Sequence, residues 1–406
     1  MSQTETVLSL INARQQRHAL GRELYTSDAV FQQDLQHIWY KSWIFIGHDF
    51  EIPSAGEYLT VQIGQYPIVV VRNKDNSIRA FHNSCRHRGS RLCAEEKGKL
   101  AKLVCPYHSW TYELNGDLLF APNMGDSFDA TQYNLKPAHC EVSNSYIYVC
   151  VGEQAPDFAP FQQTLAHFMD PHDLAGCKVA HESTIIEEGN WKLVFENNRE
   201  CYHCDRNHPE LLCSFQENLA VAGIANVDDP ELDAFIEKCE QAGLPSRLVI
   251  DEQGQYRMTR IPLFGSSVSY TLDGKPAVKN LRLDKSGVEN IGALLYFNYP
   301  STWNHILGDF ALSFRILPLA AGKTAVTTKW LVPKDAQEGV DYDLEHLTRV
   351  WLATNDQDKR LVEESFIGVT SPTYQPGPFS DTAENGVCQF VDWYCDRMKM
   401  ALSDCK

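Results

Sequence analysis

The stretch CRHRGSRLCAEEKGKLAKLVCPYH, residues 85–108, decides how the first part of this chain is read. It places Cys85-Arg86-His87 seventeen residues before Cys105-Pro106-Tyr107-His108. Two thiolates and two imidazoles make a four-ligand metal site. Such a set can hold zinc tetrahedrally, but zinc folds group Cys with Cys and His with His. Here each half mixes one Cys with one His, as two equivalent loops gripping a two-iron rhomb would. In that arrangement the cysteines sit on one iron of a [2Fe–2S] cluster and the histidines on the other. Cys93 lies inside the stretch at no ligand position and reads as a packed thiol.

The flanks His82-Asn83-Ser84, Arg88-Gly89 and Ser109-Trp110-Thr111-Tyr112 sharpen the reading. With them, the stretch resembles the Rieske motif C-x-H…C-x-x-H, and zinc is kept as the alternative.

The rest of the composition sets bounds. A chain of 406 residues is long for one domain and comfortable for two. Its 43% hydrophobic and 22% charged content is that of an ordinary globular protein. No apolar run approaches the roughly 18 residues of a membrane span. The first residues show no basic region followed by an apolar one, so no secretory signal is expected. Thirteen scattered cysteines suit a reducing, cytoplasmic setting better than a disulfide scaffold. A formal charge of −17 argues against nucleic acid or an anionic membrane as partner.

Along the chain, Val30, Phe31, Leu35, Ile38 and Trp39 recur at helical spacing, predicting a helix over Thr26–Trp43. From Ile44 the texture becomes short alternating runs: Tyr58–Ile63, Pro67–Arg72, Ser77–Phe81, Thr111–Leu114, Leu118–Phe120 and Tyr146–Val151. Lys74-Asp75-Asn76 and Asn115-Gly116 are turn signals. Residues 44–155 are therefore predicted as an all-β domain, preceded by a helical segment (1–43) that packs on the second domain. Gly152–Phe161 reads as the linker.

Residues 161–406 return to mixed texture. A helix follows Asn190-Trp191-Lys192-Leu193-Val194-Phe195, Val221–Arg260 is polar and irregular apart from a helix at Pro230–Ala242, and three strands are expected at Ala293–Tyr299, Ala311–Leu317 and Thr324–Val332. Helices are predicted over Tyr342–Phe366 and Thr382–Met400. The fold class is α+β, with an antiparallel sheet in the second domain.

An electron-storing centre needs an acceptor. In Glu200-Cys201-Tyr202-His203-Cys204-Asp205-Arg206-Asn207-His208-Pro209, Glu200 and His203 share a helix face, being three apart. His208 is rotated away on an ideal helix unless Pro209 distorts the last turn. Two imidazoles and a carboxylate on one face form the triad of non-heme Fe(II) oxygenases. The plain alternative is two polar residues at a helix end. Cys201-x-x-Cys204 invites a redox or zinc reading, but no second Cys pair is near, and both are expected as packing thiols. For the third ligand, Leu347, Trp351, Thr354, Asp358, Leu361 and Ser365 form one stripe of the late helix. Asp358 is the charge on that stripe and needs a cation to offset its burial. Asp356 falls on the solvated face.

Taken together, these stretches resemble the oxygenase (α) component of the Rieske non-heme iron oxygenases. The resemblance implies an N-terminal Rieske domain, a helix-grip (START-like) catalytic domain and a homotrimer. It implies a [2Fe–2S] cluster on Cys85, His87, Cys105 and His108, a mononuclear Fe(II) on His203, His208 and Asp358, and electrons from NAD(P)H through a separate flavin/iron–sulfur reductase. It also maps Glu200 as a bridge between one subunit's His108 and the neighbour's iron-ligand His208. Most ring-hydroxylating members carry Asp there. The Glu, with NNRECYHC, YPSTWNH and KWLVPKDAQEGVDYD, is similar to the quaternary-ammonium branch, which oxidises carnitine, stachydrine and glycine betaine, the last of these most closely.

The implied reaction is a monooxygenation by O2 that removes an N-methyl group as formaldehyde, glycine betaine giving dimethylglycine. Other betaines, aromatic ring hydroxylation, or a non-catalytic electron carrier are the alternatives. A trimethylammonium group donates no hydrogen bond and is held by aromatic faces. Phe297, Tyr299, Trp303 and Phe310 are candidate cage walls, although strand aromatics are mostly core, and His305 is a candidate for the substrate carboxylate.

Overall fold

The computed structural model describes residues 3–217 and 229–403. They form two compact units, one of Trp39–Gln162 and one of the described residues in Met1–Ile38 and Gln163–Lys406.

The Trp39–Gln162 unit is built from ten strands: β1 (Ile44–His48), β2 (Glu57–Ile63), β3 (Tyr66–Arg72), β4 (Ile78–His82), β5 (Lys97–Lys99), β6 (Leu103–Val104), β7 (Thr111–Tyr112), β8 (Leu118–Phe120), β9 (Pro137–Ser143) and β10 (Tyr146–Cys150). Seven make an antiparallel sheet in the order β1-β10-β9-β4-β3-β2-β5, and β6-β7-β8 form a small second sheet. The turn signals act as expected. Asn76 adopts φ 65° between β3 and β4, and Gly116 adopts φ 92° between β7 and β8. A Cβ on Gly116 would lie 2.5 Å from the Phe81 ring, so the turn requires glycine.

The second unit contains helices α1 (Gln3–Asn12), α2 (Arg22–Thr26), α3 (Asp28–His37), α4 (Ala159–Met169, from Gln163 onward), α5 (Trp191–Asn198), α6 (Cys204–Asn207), α7 (Pro230–Gln241), α8 (Leu344–Thr370) and α9 (Asn385–Ser403). Its sheet has seven antiparallel strands, β11 (Cys177–Glu187), β12 (Val249–Ile250), β13 (Tyr256–Ile261), β14 (Ala293–Asn298), β15 (Thr302–Ile306), β16 (Ala311–Ala320) and β17 (Lys323–Pro333). They lie in the order β11-β17-β16-β15-β14-β13-β12. This is the α+β, helix-on-sheet architecture expected.

Several expectations need correction. The first predicted helix is shorter: α3 starts after Ser27, whose Oγ accepts from Val30 N (3.4 Å), and a 3₁₀ turn takes Trp39–Lys41. The linker is helical from Ala159. The irregular stretch hides β13, all six residues of which are buried; its residues 221–228 lie outside the described ones. β11 and β15 were also not foreseen.

The N-terminal helices are keyed to the second unit by a buried ion pair. Asp34 of α3 accepts from Lys192 Nζ, Trp191 Nε1 (3.1 Å) and Tyr394 Oη (2.8 Å), and both charged side chains are fully buried. The cap residue of α5, Asn190, accepts from Lys192 N (3.0 Å) and donates to Tyr25 O and Ala321 O. The start of α5, and so the loop after it, is held by polar bonds that leave none of these groups wanting.

Candidate metal centres and substrate pocket

In the first unit the two halves of the opening motif become two loops of one design. Cys85–Gly89 follows β4; Cys105–Ser109 joins β6 to β7. In each, an N–H four residues on bonds back to the Cys carbonyl: Gly89 to Cys85 (2.9 Å) and Ser109 to Cys105 (3.0 Å). In each, the Cys N–H closes the loop onto the residue five on, Ser90 (2.8 Å) and Trp110 (2.8 Å). Gly89 and Ser109 hold equivalent left-handed positions, φ 78° and 58°. One Cys-His spacing is a residue shorter than the other, yet the backbone loops match.

The result brings His87 Nδ1 within 3.1 Å of His108 Nδ1, while both cysteines stay buried. His87 stacks on Trp110 (4.9 Å, 8°), which fixes its ring. Tyr112 Oη lies 3.3 Å from Cys85 Sγ and accepts from Arg86 N (3.0 Å). Burial raises the Cys85 thiol, and Cys105 beside it adds to the rise. Two imidazole nitrogens aimed at one point, over two buried thiols, are the donor set of a mixed Cys/His two-iron cluster. Cys93 is buried and its thiol is pushed up to about 11 by burial, a packed group.

In the second unit the continuous helix expected through Glu200 and His203 does not form. α5 ends at Asn198, residues 199–203 turn, and α6 is a single turn with His203 at its N-cap and His208 at its C-cap. The break removes the problem of the five-residue spacing, because the two imidazoles enter from opposite ends of a four-residue helix. His203 Nε2 and His208 Nε2 lie 3.0 Å apart. Asp358 Oδ1 of α8 is 3.4 Å from the first and 3.0 Å from the second.

Each imidazole is held through its other nitrogen. Glu200 Oε1 accepts from His203 Nδ1 (2.6 Å), and Gln357 Oε1 accepts from His208 Nδ1 (2.8 Å) while its amide donates to Glu210 Oε2 (2.8 Å). Protonation at both Nδ1 atoms leaves both Nε2 lone pairs facing Asp358. Asp358 Oδ1 itself is buried with no hydrogen-bond donor in line. Burial opposes a charge on His203, yet the Asp358 and Glu200 carboxylates lift it to about 9, so the electrostatics favour a positive charge at that point. The donor set fits a divalent iron with open positions. Glu200 is paired with His203, not with His208 as expected from the resemblance.

Cys204 also lies near the two histidines. Its sulfur is spent, however: Cys201 and Cys204 are joined as a disulfide, which corrects their reading as free packing thiols. Asp356 is exposed, as expected; the buried stripe of α8 continues through Val362 and Val369, with Ser365 turned to solvent.

Comparison with known proteins agrees with both centres. Residues 42–136 match the Rieske [2Fe–2S] domain, and residues 174–400 match the catalytic domain of the ring hydroxylating alpha subunit. The chain belongs to the Rieske oxygenase alpha-subunit family. It is 45% identical over 397 residues to the glycine betaine monooxygenase oxygenase subunit of Pseudomonas aeruginosa (strain UCBPP-PA14), covering 96% of this chain and 91% of that one. It is 46% identical over 403 residues to the oxygenase subunit of the same name from Chromohalobacter salexigens, covering 97% and 89%. A crystal structure of the quaternary ammonium Rieske monooxygenase CntA with an inhibitor shares the fold, at TM-score 0.74 and 21% identity over 96% of this chain and 98% of that one. A Rieske oxygenase alpha subunit is an oxygenase that works with a [2Fe–2S] cluster and a mononuclear iron.

Beside the triad, this alpha subunit has a pocket lined by Phe215, Phe297, His305, Trp351, Arg199 and Arg257, with Glu200, His203, His208 and Asp358 in the same wall. Of the residues singled out for the substrate, Phe297 and His305 line it. Tyr299, Trp303 and Phe310 do not: Tyr299 packs on Phe195, Phe390 and Trp393, Trp303 stacks on Phe314, and Phe310 is fully buried. Phe297 is not a free wall either, since the Arg199 guanidinium sits 4.1 Å from its ring centroid. His305 is 3% exposed, and burial pushes it down to about 3, so it is neutral. Sequence reasoning missed Trp351 and Phe215 as pocket aromatics. Trp351 was legible one helical turn before Thr354 and two before Asp358.

Proposed function

We propose that this chain is the oxygenase component of a two-component monooxygenase that removes an N-methyl group from glycine betaine, giving dimethylglycine and formaldehyde. Electrons come from NAD(P)H through a separate flavin/iron–sulfur reductase, and the working assembly is a homotrimer. The observation that carries the reading is the convergence of His203 Nε2, His208 Nε2 and Asp358 Oδ1 on one point beside an aromatic pocket. The relatives named above give the substrate.

Cys85, His87, Cys105 and His108 would hold the [2Fe–2S] cluster, and His203, His208 and Asp358 the iron. When bound, the two centres supply single electrons and a site for O2 activation. The protein's own groups do the rest. Glu200 and Gln357 fix the tautomer and aim of the iron histidines. Glu200 is also the bridging carboxylate toward His108 of a neighbouring subunit. Trp351 and Phe215 offer faces to a cation that no hydrogen bond can hold, at ~0.5–2 kcal/mol each. The atoms balance as follows: one oxygen atom enters the methyl C–H bond and the other leaves as water, using two electrons and two protons. The N–CH2OH group then breaks its C–N bond, releasing formaldehyde, a proton and the tertiary amine.

The test is NADH-dependent formaldehyde release from a panel of glycine betaine, stachydrine, carnitine and an aromatic acid, with a Rieske-oxygenase reductase added. One formaldehyde and one dimethylglycine per NADH from glycine betaine is the expected outcome. Release from another member of the panel alone would replace the substrate, and hydroxylated arene would replace the reaction.

A further inference from the structure

The Cys201–Cys204 disulfide lies against the triad, and both of its residues line the pocket. The pair brackets His203: Cys201 stands in the turn of residues 199–203, and Cys204 opens the single-turn helix α6. Both residues are 3% exposed, so the pocket is the way to their sulfurs. The two sulfurs are not placed alike. Cys204 Sγ and a ring nitrogen of each of His203 and His208 all lie within 4.8 Å of one another. Among the described residues Cys201 belongs to no such group.

The other three donors already stand at ligand spacing. His203 Nε2 and His208 Nε2 are 3.0 Å apart, and Asp358 Oδ1 is 3.4 Å and 3.0 Å from them. Tetrahedral zinc holds sulfur at about 2.3 Å and nitrogen at about 2.0–2.1 Å, which sets the two roughly 3.5 Å apart. Cys204 Sγ, no more than 4.8 Å from those nitrogens, falls short of a ligand position by little more than about 1 Å. While it is bonded to Cys201 the sulfur carries no charge and cannot turn. Cleaving the bond restores the thiolate, which is the form that binds metal, and frees the Cys204 side chain to change rotamer.

We propose that Cys204 is a latent fourth ligand, and that the disulfide decides which metal this centre holds. Oxidised, the protein offers two imidazoles and one carboxylate with positions left open, the set that suits Fe(II). Reduced, it adds a soft thiolate and closes the tetrahedron, the set that suits Zn(II). The step is a two-electron thiol–disulfide exchange with a small dithiol. The reductant's two thiols become its disulfide, and their two hydrogens pass to Cys201 and Cys204. Zinc then displaces the Cys204 thiol proton to solvent. This rests on His203, His208 and Asp358 being the metal site and adds the control of its metal.

The test uses Co(II), which reports a thiolate ligand by a sulfur-to-cobalt charge-transfer band. The full chain, cluster in place, is stripped of its mononuclear metal by chelation. It is prepared as the disulfide and after dithiothreitol treatment and desalting; alkylation after unfolding, read by mass spectrometry, shows which form is present. Difference spectra before and after Co(II) cancel the cluster's own absorbance. The disulfide form is expected to bind cobalt without the charge-transfer band, and the reduced form with it. Zinc should bind the reduced form at least about 100-fold more tightly, since a ligand outweighs the roughly 10–100-fold that a partner behind a ligand histidine contributes. Cys201→Ser should show the band without any reduction, because Cys204 is then always free, and Cys204→Ser should never show it. Both variants lack the disulfide, so any effect of its loss on folding is common to the two. Reduced wild-type protein that binds cobalt without the band would overturn the inference. So would a Cys204→Ser protein that keeps the band. If the disulfide form binds no cobalt, the triad reading falls, and the band in the reduced protein still decides whether Cys204 is a ligand.

Discussion

Replacing Glu200 by Gln separates the hold this carboxylate has on His203 from the bridging role proposed for it. Glu200 Oε1 accepts from His203 Nδ1 at 2.6 Å, and Oε2 accepts from Tyr202 N and from His203 N at 3.3 Å. All three partners are donors. A glutamine must point its NH2 group at one side or the other, so at least one donor loses its acceptor whichever way the amide turns. An unsatisfied, partly buried donor costs about 1–3 kcal/mol. That corresponds to iron binding weakened roughly 10–100-fold, the range typical of lost partners behind metal-ligating histidines. Gln357→Leu removes the equivalent partner of His208 and should weaken iron by a similar factor. The two variants differ in the second role, because the proposed bridge runs through Glu200 and not through Gln357. With iron added to saturation in both, Gln357→Leu should recover most NADH-coupled formaldehyde release and Glu200→Gln almost none. The readouts are an iron titration and the coupled rate at saturating iron. Full recovery in Glu200→Gln would remove the bridge. Equal failure of Gln357→Leu would show that aiming the histidines, rather than transfer through Glu200, limits turnover.

Three further outcomes follow from named contacts. Asp34→Ala leaves Lys192 as a buried, uncompensated charge and should destabilise the second unit by about 3–5 kcal/mol, seen as a large fall in the thermal midpoint; a fall of a degree or two would mean the pair is not integral. Burial raises Glu196 to about 8 against an ordinary 4.5, with Tyr25 donating to it. The folded state thus keeps a proton that the unfolded state releases, so stability declines from about pH 4.5 up to pH 8, by up to about 1.4 kcal/mol per pH unit. Glu196→Gln should flatten that decline, and midpoints measured between pH 5.5 and 8 that run parallel in both proteins would contradict it. Tyr112→Phe removes a hydroxyl 3.3 Å from Cys85 Sγ. The reduced cluster loses more than the oxidised one, and a difference of about 1 kcal/mol lowers the one-electron potential by roughly 40 mV; an unchanged spectroelectrochemical midpoint would refute the contact.

Much of the β unit was legible because short runs of β-branched and aromatic residues, such as Val69-Val70-Val71 and Tyr146–Val149, stand between turn residues. Asn76 marks the turn between β3 and β4, and Gly116 the one between β7 and β8. The sheet of the second unit was harder. β13, β14 and β15 are buried throughout, so no polar alternation marks them. Thr302-Trp303-Asn304-His305-Ile306 looks polar, but Asn304 donates to Thr302 Oγ1 and Thr302 to Phe314 O inside the sheet.

The three side chains that converge, His203, His208 and Asp358, were legible from residue type and helical phase; Asp358 stands on the stripe that includes Leu347, Trp351 and Thr354. Their route to one point was not, because it depends on the break after Asn198, which no Gly or Pro announces. Pro209 was assigned the distortion that the chain instead makes at residues 199–203. The pocket was least legible. The sequence points to aromatics of the strand Tyr296–Tyr299, where Tyr299 is core and Phe297 is covered by Arg199. The arginines escaped notice because one lies in a turn and the other in a strand that reads as irregular.

The central claim is that the assembly stores both electrons that a molecule of oxygen needs, one on the iron and one on the cluster that Glu200 bridges to it. A single turnover without reductase tests it most directly. Chemically reduced, desalted protein is mixed with glycine betaine and then with O2, and formaldehyde and the cluster absorbance are followed together. The account predicts about one formaldehyde per iron-loaded chain, with the cluster oxidised in step. Cluster oxidation without formaldehyde, or formaldehyde with the cluster still reduced, would contradict it.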